Sequence, residues 1–167
     1  MNFRFLHIAL FLAAFFLALP NACFAWPATV ISVHDGDTLT VAPLGDTSTP
    51  MIIRLYGIDA PELEQSGGKE AGDYLRESLP PESAVEIITM STDRYGRTVG
   101  LVGHNGKIMN AAMIAAGHAW VFPKYCRAKF CKKWRRMEDN ARSSGNGLWK
   151  SDNFVSPWEF RKNKEGN

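Results

Sequence analysis

The chain has 167 residues, 46% of them apolar and 22% charged, with a formal net charge of +2. That length holds one domain around one core, and no internal repeat and no second membrane-spanning stretch is present beyond the N-terminal segment. The small net charge conceals a division: residues 26–123 carry six Lys or Arg against twelve Asp or Glu (net −6), whereas residues 124–167 carry twelve against five (net +7).

Residues 1–25 open with one basic residue, Arg4, followed by an apolar run from Ile8 to Leu19 and small residues ahead of Trp26. The run is short for a bilayer span, so the segment reads as a cleaved secretory signal rather than a retained anchor. A lipid attachment at Cys23 is disfavoured by Pro20 three residues earlier. The expected product is an exported globular domain over residues 26–150, with a C-terminal extension over residues 151–167. It is read as a monomer without stable membrane insertion, in the periplasm or secreted.

Ala28 to Val33 and Thr38 to Val41 are rich in β-branched residues and flank the turn signal His34-Asp35-Gly36-Asp37, which predicts a hairpin. A polar loop from Pro43 to Pro50 leads into a third strand, Met51 to Ile58, where Arg54 stands among apolar neighbours. A charge there needs a partner, so Arg54 either pairs with a carboxylate or faces a site that receives an anion. Lys69 to Leu79 has apolar residues at helical spacing and stops at Pro80-Pro81. Ala84 to Met90 and Thr98 to Val102 read as a fourth and fifth strand around the turn Asp93-Arg94-Tyr95-Gly96. Asn110 is placed as the N-cap of a second helix, Ala111 to Ala116, ended by Gly117. Phe130, Trp134, Met137 and Ala141 form one stripe of a third helix. Five strands and three helices predict an α+β domain; a five-stranded OB-type β-barrel and a split sheet with helices on one face both fit that order.

Cys126 and Cys131 bracket four residues, and either a disulfide or two free thiols satisfies the spacing. Two cysteines with the scattered His34, His104 and His118 reproduce no closed zinc spacing. The basic C-terminal third is either a solvated face or a surface that draws a polyanion.

The chemistry concentrates in three separated segments: Asp35-Gly36-Asp37-Thr38, Arg54 through Asp59-Ala60-Pro61-Glu62, and Asp93-Arg94-Tyr95-Gly96-Arg97. Hard carboxylate oxygens at Asp37 and Asp59 suit a hard divalent cation, Glu62 can take a proton from water, and Arg54 and Arg97 present planar forks that match a phosphate. Hydrolysis of a phosphodiester needs those groups: an aligned water, a proton acceptor beside it, and positive charge around the oxygens that become more negative. The bland alternative is a set of turns whose acids pair with Arg54 and Arg97 and bind nothing.

In order and in most spacings these segments resemble the paired signature of the staphylococcal nuclease (thermonuclease) family, from about Ala28 to Trp149. The resemblance implies a five-stranded OB barrel with three helices and a calcium-dependent nuclease that cuts DNA and RNA to leave 3′-phosphate ends. By that likeness Asp37 and Asp59 are calcium carboxylates and Ala60 offers a backbone carbonyl, while Arg54, Glu62 and Arg97 form the catalytic set. Asp35 supports the water network around the ion, and Arg94, Tyr95 and Tyr125 contact the substrate's terminal phosphate. The principal alternative is a noncatalytic OB-fold nucleic-acid-binding protein of the cell envelope, a type that loses site carboxylates or arginines, all of which are present here.

Two departures stand out. Pro123 occupies a position two before Tyr125 where the family commonly has an aromatic residue, leaving Trp120 or Phe122 either to stack on a base or to pack inside. The extension, with Phe154 and Pro157-Trp158-Glu159-Phe160-Arg161, is expected to lie on the barrel as an apolar strap.

Overall fold

A computed structural model describes residues 25–46, 48–151 and 154–166. The segment read as a secretory signal, apart from Ala25, lies outside the described residues. Among the described residues no helix is long and apolar enough to cross a membrane.

The barrel is built from β1 (Ala25–Val33), β2 (Thr38–Pro43), β3 (Met51–Leu55), β5 (Ala84–Thr92) and β6 (Thr98–His104). The order β3-β2-β1-β5-β6 is antiparallel throughout and closes on itself where β3 pairs in parallel with β6, Arg54 lying opposite Val99. Closure leaves no free barrel edge. A two-residue strand β7 (Lys107–Ile108) extends the β6 side, and β4 (Ile58–Asp59) pairs with β8 (Trp120–Val121) as a separate small ladder. The third predicted strand therefore ends at Leu55, three residues early. Gly57, at φ 73°, turns the chain beside the Cys126 sulfur, and Ile58–Asp59 joins β8 instead of continuing β3.

Alternating inward residues fill the barrel: Val30, Leu39, Val41, Ile53, Leu55, Ile87 and Val102 are all at most 2% exposed. Helices α1 (Gly68–Ser78), α2 (Met109–Ala115) and α3 (Cys131–Ser143) pack against the barrel and contribute Leu75, Met113, Ile114 and Trp134 to the same core. A short 3₁₀ turn, Gly147–Lys150, brings Trp149 against Trp120.

Two expectations need correction. The structure has four α-helices among the described residues where the sequence suggested three, because the extension folds as α4 (Pro157–Glu165). Ser156 and Glu159 form a reciprocal capping box and Pro157 occupies the first turn, which is a complete start signal within four residues. Asn110 does not cap α2, whose N-cap position is Ile108. The Asn110 amide is fully buried, accepts from the Val102 N–H and donates to the carbonyls of Tyr56 and Gly100. It satisfies backbone groups where β3 turns away from β6, a tertiary task that sequence position alone does not distinguish from capping.

Cys126 and Cys131 are joined, their Cα atoms 5.7 Å apart, which resolves the choice between bridge and thiols. The bridge fixes the loop from β8 into α3. Trp120 is buried against Trp149, and Phe122 stacks on Trp158 of α4 with ring centroids 5.1 Å apart. Both aromatics are packing residues in this fold.

Candidate active site

Three tight junctions bring the acidic residues to one mouth of the barrel. In the β1–β2 turn the Asp35 carboxylate accepts the Asp37 N–H at 2.9 Å, which directs the Asp37 side chain inward. Asp37 is 2% exposed, and its Oδ2 accepts the Ala60 N–H at 2.7 Å, tying this turn to the segment after β4. Asp59 is 1% exposed at the end of β4, in register with Trp120. Ala60-Pro61 then turns the chain so that Glu62 reaches the surface, its side chain 36% exposed.

Two glycines permit this approach. A Cβ at Gly36 would sit 2.6 Å from the Ala60 Cβ and 2.8 Å from that of Ala71, so only glycine lets the first turn lie against the second. A Cβ at Gly68 would sit 1.8 Å from the Glu62 carbonyl oxygen, so the start of α1 abuts the Glu62 backbone directly. Gly36 and Gly68 thus act in the same place, one against Ala60 and the other against Glu62.

Two arginines neutralise these buried carboxylates. Arg54 projects from β3, opposite Thr38, with Nη1 on Asp37 Oδ1 and Nη2 at 2.6 Å from Asp59 Oδ1. Burial pushes the Arg54 guanidinium below its ordinary range while Asp59 and Asp35 oppose that shift. An arginine has so high an intrinsic value that it stays charged. The second is Arg161 of α4, which reaches across the mouth with Nη2 at 2.6 Å from Asp59 Oδ2 and Nη1 at 2.6 Å from Glu62 Oε1. Burial acts against its charge, but the bonds to Asp59 and Glu62 outweigh that and raise its value.

The remaining sequence-predicted residues lie around this cluster. Arg97 is held at the β5–β6 turn by Asp93, which accepts from its Nε at 2.7 Å, leaving the guanidinium fork partly exposed. Burial tends to raise the Asp93 value, but bonds from Arg97 and the Tyr95 N–H prevail and lower it. Arg94 and Arg97 flank the exposed Tyr95 ring at 4.7 and 5.5 Å from its centroid. Arg97 and Tyr95 line a shallow concavity with Met51, Ile52 and Thr98. Tyr125, also exposed, meets Phe122 edge to face. The structure thus brings Asp35, Asp37, Arg54, Asp59, Ala60 and Glu62 into one bonded group, places Arg97 with Tyr95 and Arg94 on an adjoining turn, and leaves Tyr125 on the β8–α3 loop.

The carboxylates do not stand open. Among the described residues no group of three or more His, Cys, Asp or Glu side chains is arranged to hold a metal ion, and Arg54 and Arg161 are bonded to Asp37, Asp59 and Glu62. Acids and arginines are in direct contact: buried carboxylates need counter-charge at contact distance, and Arg54 and Arg161 supply it. Of the two readings of Arg54, the structure shows the pairing with carboxylates. The donor set still suits a hard cation, comprising two buried carboxylates that share one guanidinium and so lie within reach of one positive centre. Sequence reasoning missed Arg161. Its partners are about a hundred positions away and leave no local pattern, although the capping box announced the helix that carries it.

Comparison with known proteins places these features. Residues 52–151 match the family described as staphylococcal nuclease homologue. The chain is 41% identical to "Staphylococcal-like nuclease CAN1" of Arabidopsis thaliana over 68% of its length, but that match covers only 34% of the plant protein. The chain therefore spans about a third of that relative. It is 34% identical to an "Uncharacterized endonuclease" of Escherichia coli O157:H7 over 84% of its length and 93% of the relative. It is also 34% identical to "Protein ParB" of Escherichia coli over 96% of its length and 93% of that protein.

Proposed function

Since the chain belongs to the staphylococcal nuclease family, we propose that it is an exported, calcium-dependent endonuclease that hydrolyses DNA and RNA to leave 3′-phosphate ends. The nuclease reading is carried by one observation: Asp37 from the β1–β2 turn, Arg54 from β3, and Asp59 and Glu62 from the segment that begins at β4 meet in a single bonded cluster, Glu62 through Arg161. The disulfide between Cys126 and Cys131 supports export to an oxidising compartment, periplasmic or extracellular. We read the protein as a monomer without membrane insertion.

In this reading Asp37, Asp59 and the Ala60 carbonyl would hold a divalent cation, and Asp35, which accepts the Asp37 N–H, would support that arrangement. When bound, such an ion supplies positive charge to a phosphate oxygen and helps to orient the attacking water. The protein's own groups divide the remaining work. Arg54 and Arg97 each offer a planar fork to the scissile phosphate, and their charge stabilises the extra negative charge of the transition state. Glu62 is the partly exposed carboxylate of the cluster and takes the proton from the attacking water. Arg94, Tyr95 and Tyr125, all exposed, are assigned to contact the substrate's terminal phosphate.

The test is cleavage of single-stranded DNA and of RNA by the protein with calcium, with magnesium and with a chelator, with end-group analysis of the products. Cleavage in calcium that ceases on chelation and yields 3′-phosphates is the expected result. Binding without cleavage would instead favour a passive nucleic-acid-binding module. Cleavage indifferent to chelation would refute the assignment of Asp37, Asp59 and Ala60.

A further inference from the structure

The C-terminal extension contacts the turn that carries Glu62 at three places. Gln65 accepts the Glu62 N–H on its side-chain oxygen and donates its Glu62-facing backbone N–H to the Glu62 carbonyl, 2.8 Å away; its side-chain nitrogen donates to the Val155 carbonyl at 2.5 Å. Lys164 meets Glu64 at 2.5 Å, and Arg161 bridges Asp59 and Glu62. The extension has its own anchorage away from the acids: Trp158 stacks on Phe122, Phe154 meets Trp149 edge to face, and the Ser156–Glu159 box fixes the start of α4. The helix is thus seated by apolar and capping contacts, and Arg161 is delivered to the site by a docked element rather than by a loose tail.

The bonding pattern is specific. Arg161 engages Glu62 through Oε1, and no hydrogen bond among the described residues engages Oε2. It engages Asp59 chiefly through Oδ2, at 2.6 Å, while Oδ1 faces Arg54. A planar fork that spans two carboxylates fixes the orientation of both, which a single-point charge cannot do.

We propose that Arg161 is a positioning residue for the hydrolysis: from α4 it holds Glu62 by Oε1 and, together with Arg54, fixes both oxygens of Asp59, so that Glu62 Oε2 is the oxygen presented to the attacking water. This rests on the nuclease reading above. Residues 154–165 are in consequence a working part of the site and not an appendage.

The test compares the full chain with Arg161→Gln and Arg161→Lys. Arg161→Gln should lower kcat roughly 10- to 100-fold, the scale of a misplaced reacting group, with KM for a DNA oligonucleotide within about twofold. Guanidinium chloride at sub-denaturing concentration should restore part of the lost rate, and lysine should recover less than arginine because it cannot bridge. Without substrate or metal, amide exchange at Gln65 and Gly68 should quicken in Arg161→Gln while Trp158 fluorescence is unchanged, showing a loosened turn beneath a seated helix. Should Arg161→Gln fail to fold, Arg161→Lys with the same exchange measurement decides. A faster enzyme in Arg161→Gln would make the contact inhibitory, and a raised KM at constant kcat would make it a substrate contact; either result overturns the proposal, as does unchanged exchange. If the wild-type chain cleaves nothing, the nuclease reading fails, while the exchange arm still decides whether Arg161 orders the turn.

Discussion

Substituting alanine for Gly68 separates the placement of Glu62 from the stability of the fold. Gly68 is the first residue of α1, where alanine is intrinsically preferred over glycine by up to about 1 kcal/mol. Its Cβ, however, would fall 1.8 Å from the Glu62 carbonyl oxygen and 2.6 Å from the carbonyl carbon. Ordinary contact begins near 3.4 Å, so the helix start and the Glu62 turn must move apart by roughly 1.5 Å, an overpacking strain costing about 1–3 kcal/mol. The atom struck is backbone, so no side-chain rotation relieves it. Displacing a reacting group by about 1 Å costs on the order of 100-fold in rate, and a loss of that size in single-turnover cleavage is the expected outcome. The control is Gly106→Ala, at a turn with φ 72° and open space around the added methyl, which should lower the melting temperature and leave cleavage unaffected. Full turnover in Gly68→Ala with a folded protein would refute the dependence of the reaction on the position of Glu62.

Three further outcomes follow from the same geometry. Glu62→Gln should reduce cleavage by about 10²- to 10⁴-fold, the usual contribution of a general base, and leave the melting temperature nearly unchanged; an active variant would exclude Glu62 as the proton acceptor. Removing the Cys126–Cys131 bridge by a double serine substitution should cost about 2 kcal/mol in a denaturant titration, as loop-closure entropy for so short a ring predicts, and an unchanged midpoint would contradict it. Burial pushes the His118 imidazole below its ordinary value, with Glu70 opposing. The unfolded chain then binds the extra proton first, so this contribution to stability is constant above the ordinary histidine range and declines as pH falls through it. His118→Phe should flatten that acid-side decline in thermal unfolding, and an identical slope in both proteins would refute it.

Local signals carried most of the barrel. The turn residues at 34–37 and 93–96, the β-branched strands around them and the proline stop after α1 each act within a few positions, and each element lies close to where the sequence put it. What escaped was set by distant partners. β4 and β8 are two residues each, too short for any periodicity, and exist because Gly57 and the Cys126–Cys131 loop bring them side by side. Asn110 suits both a helix start and a buried amide, and only the backbone groups left open near Tyr56 and Gly100 decide between them. The last helix had its capping box in plain view, but the aromatic residues around it suggested a strap held by apolar contact alone.

The division of charge along the chain takes on meaning once the fold is closed. Asp35, Asp37, Asp59 and Glu62 all belong to the acidic stretch, and among the described residues Arg54 is the arginine of that stretch that bonds to them, Arg97 being held by Asp93. Such a cluster of negative charge, with two members almost wholly buried, needs more positive charge than its own stretch supplies. The basic C-terminal segment meets that need through Arg161, and does so at Asp59 and Glu62, the two carboxylates whose orientation the proposed reaction would use. A charge placed there merely to balance the acids needs no defined geometry, and a mobile lysine would serve. A bridging fork carried by a capped, aromatic-anchored helix is instead what orientation requires, which is why the lysine variant at position 161, equal in charge and poorer in geometry, discriminates between the two roles.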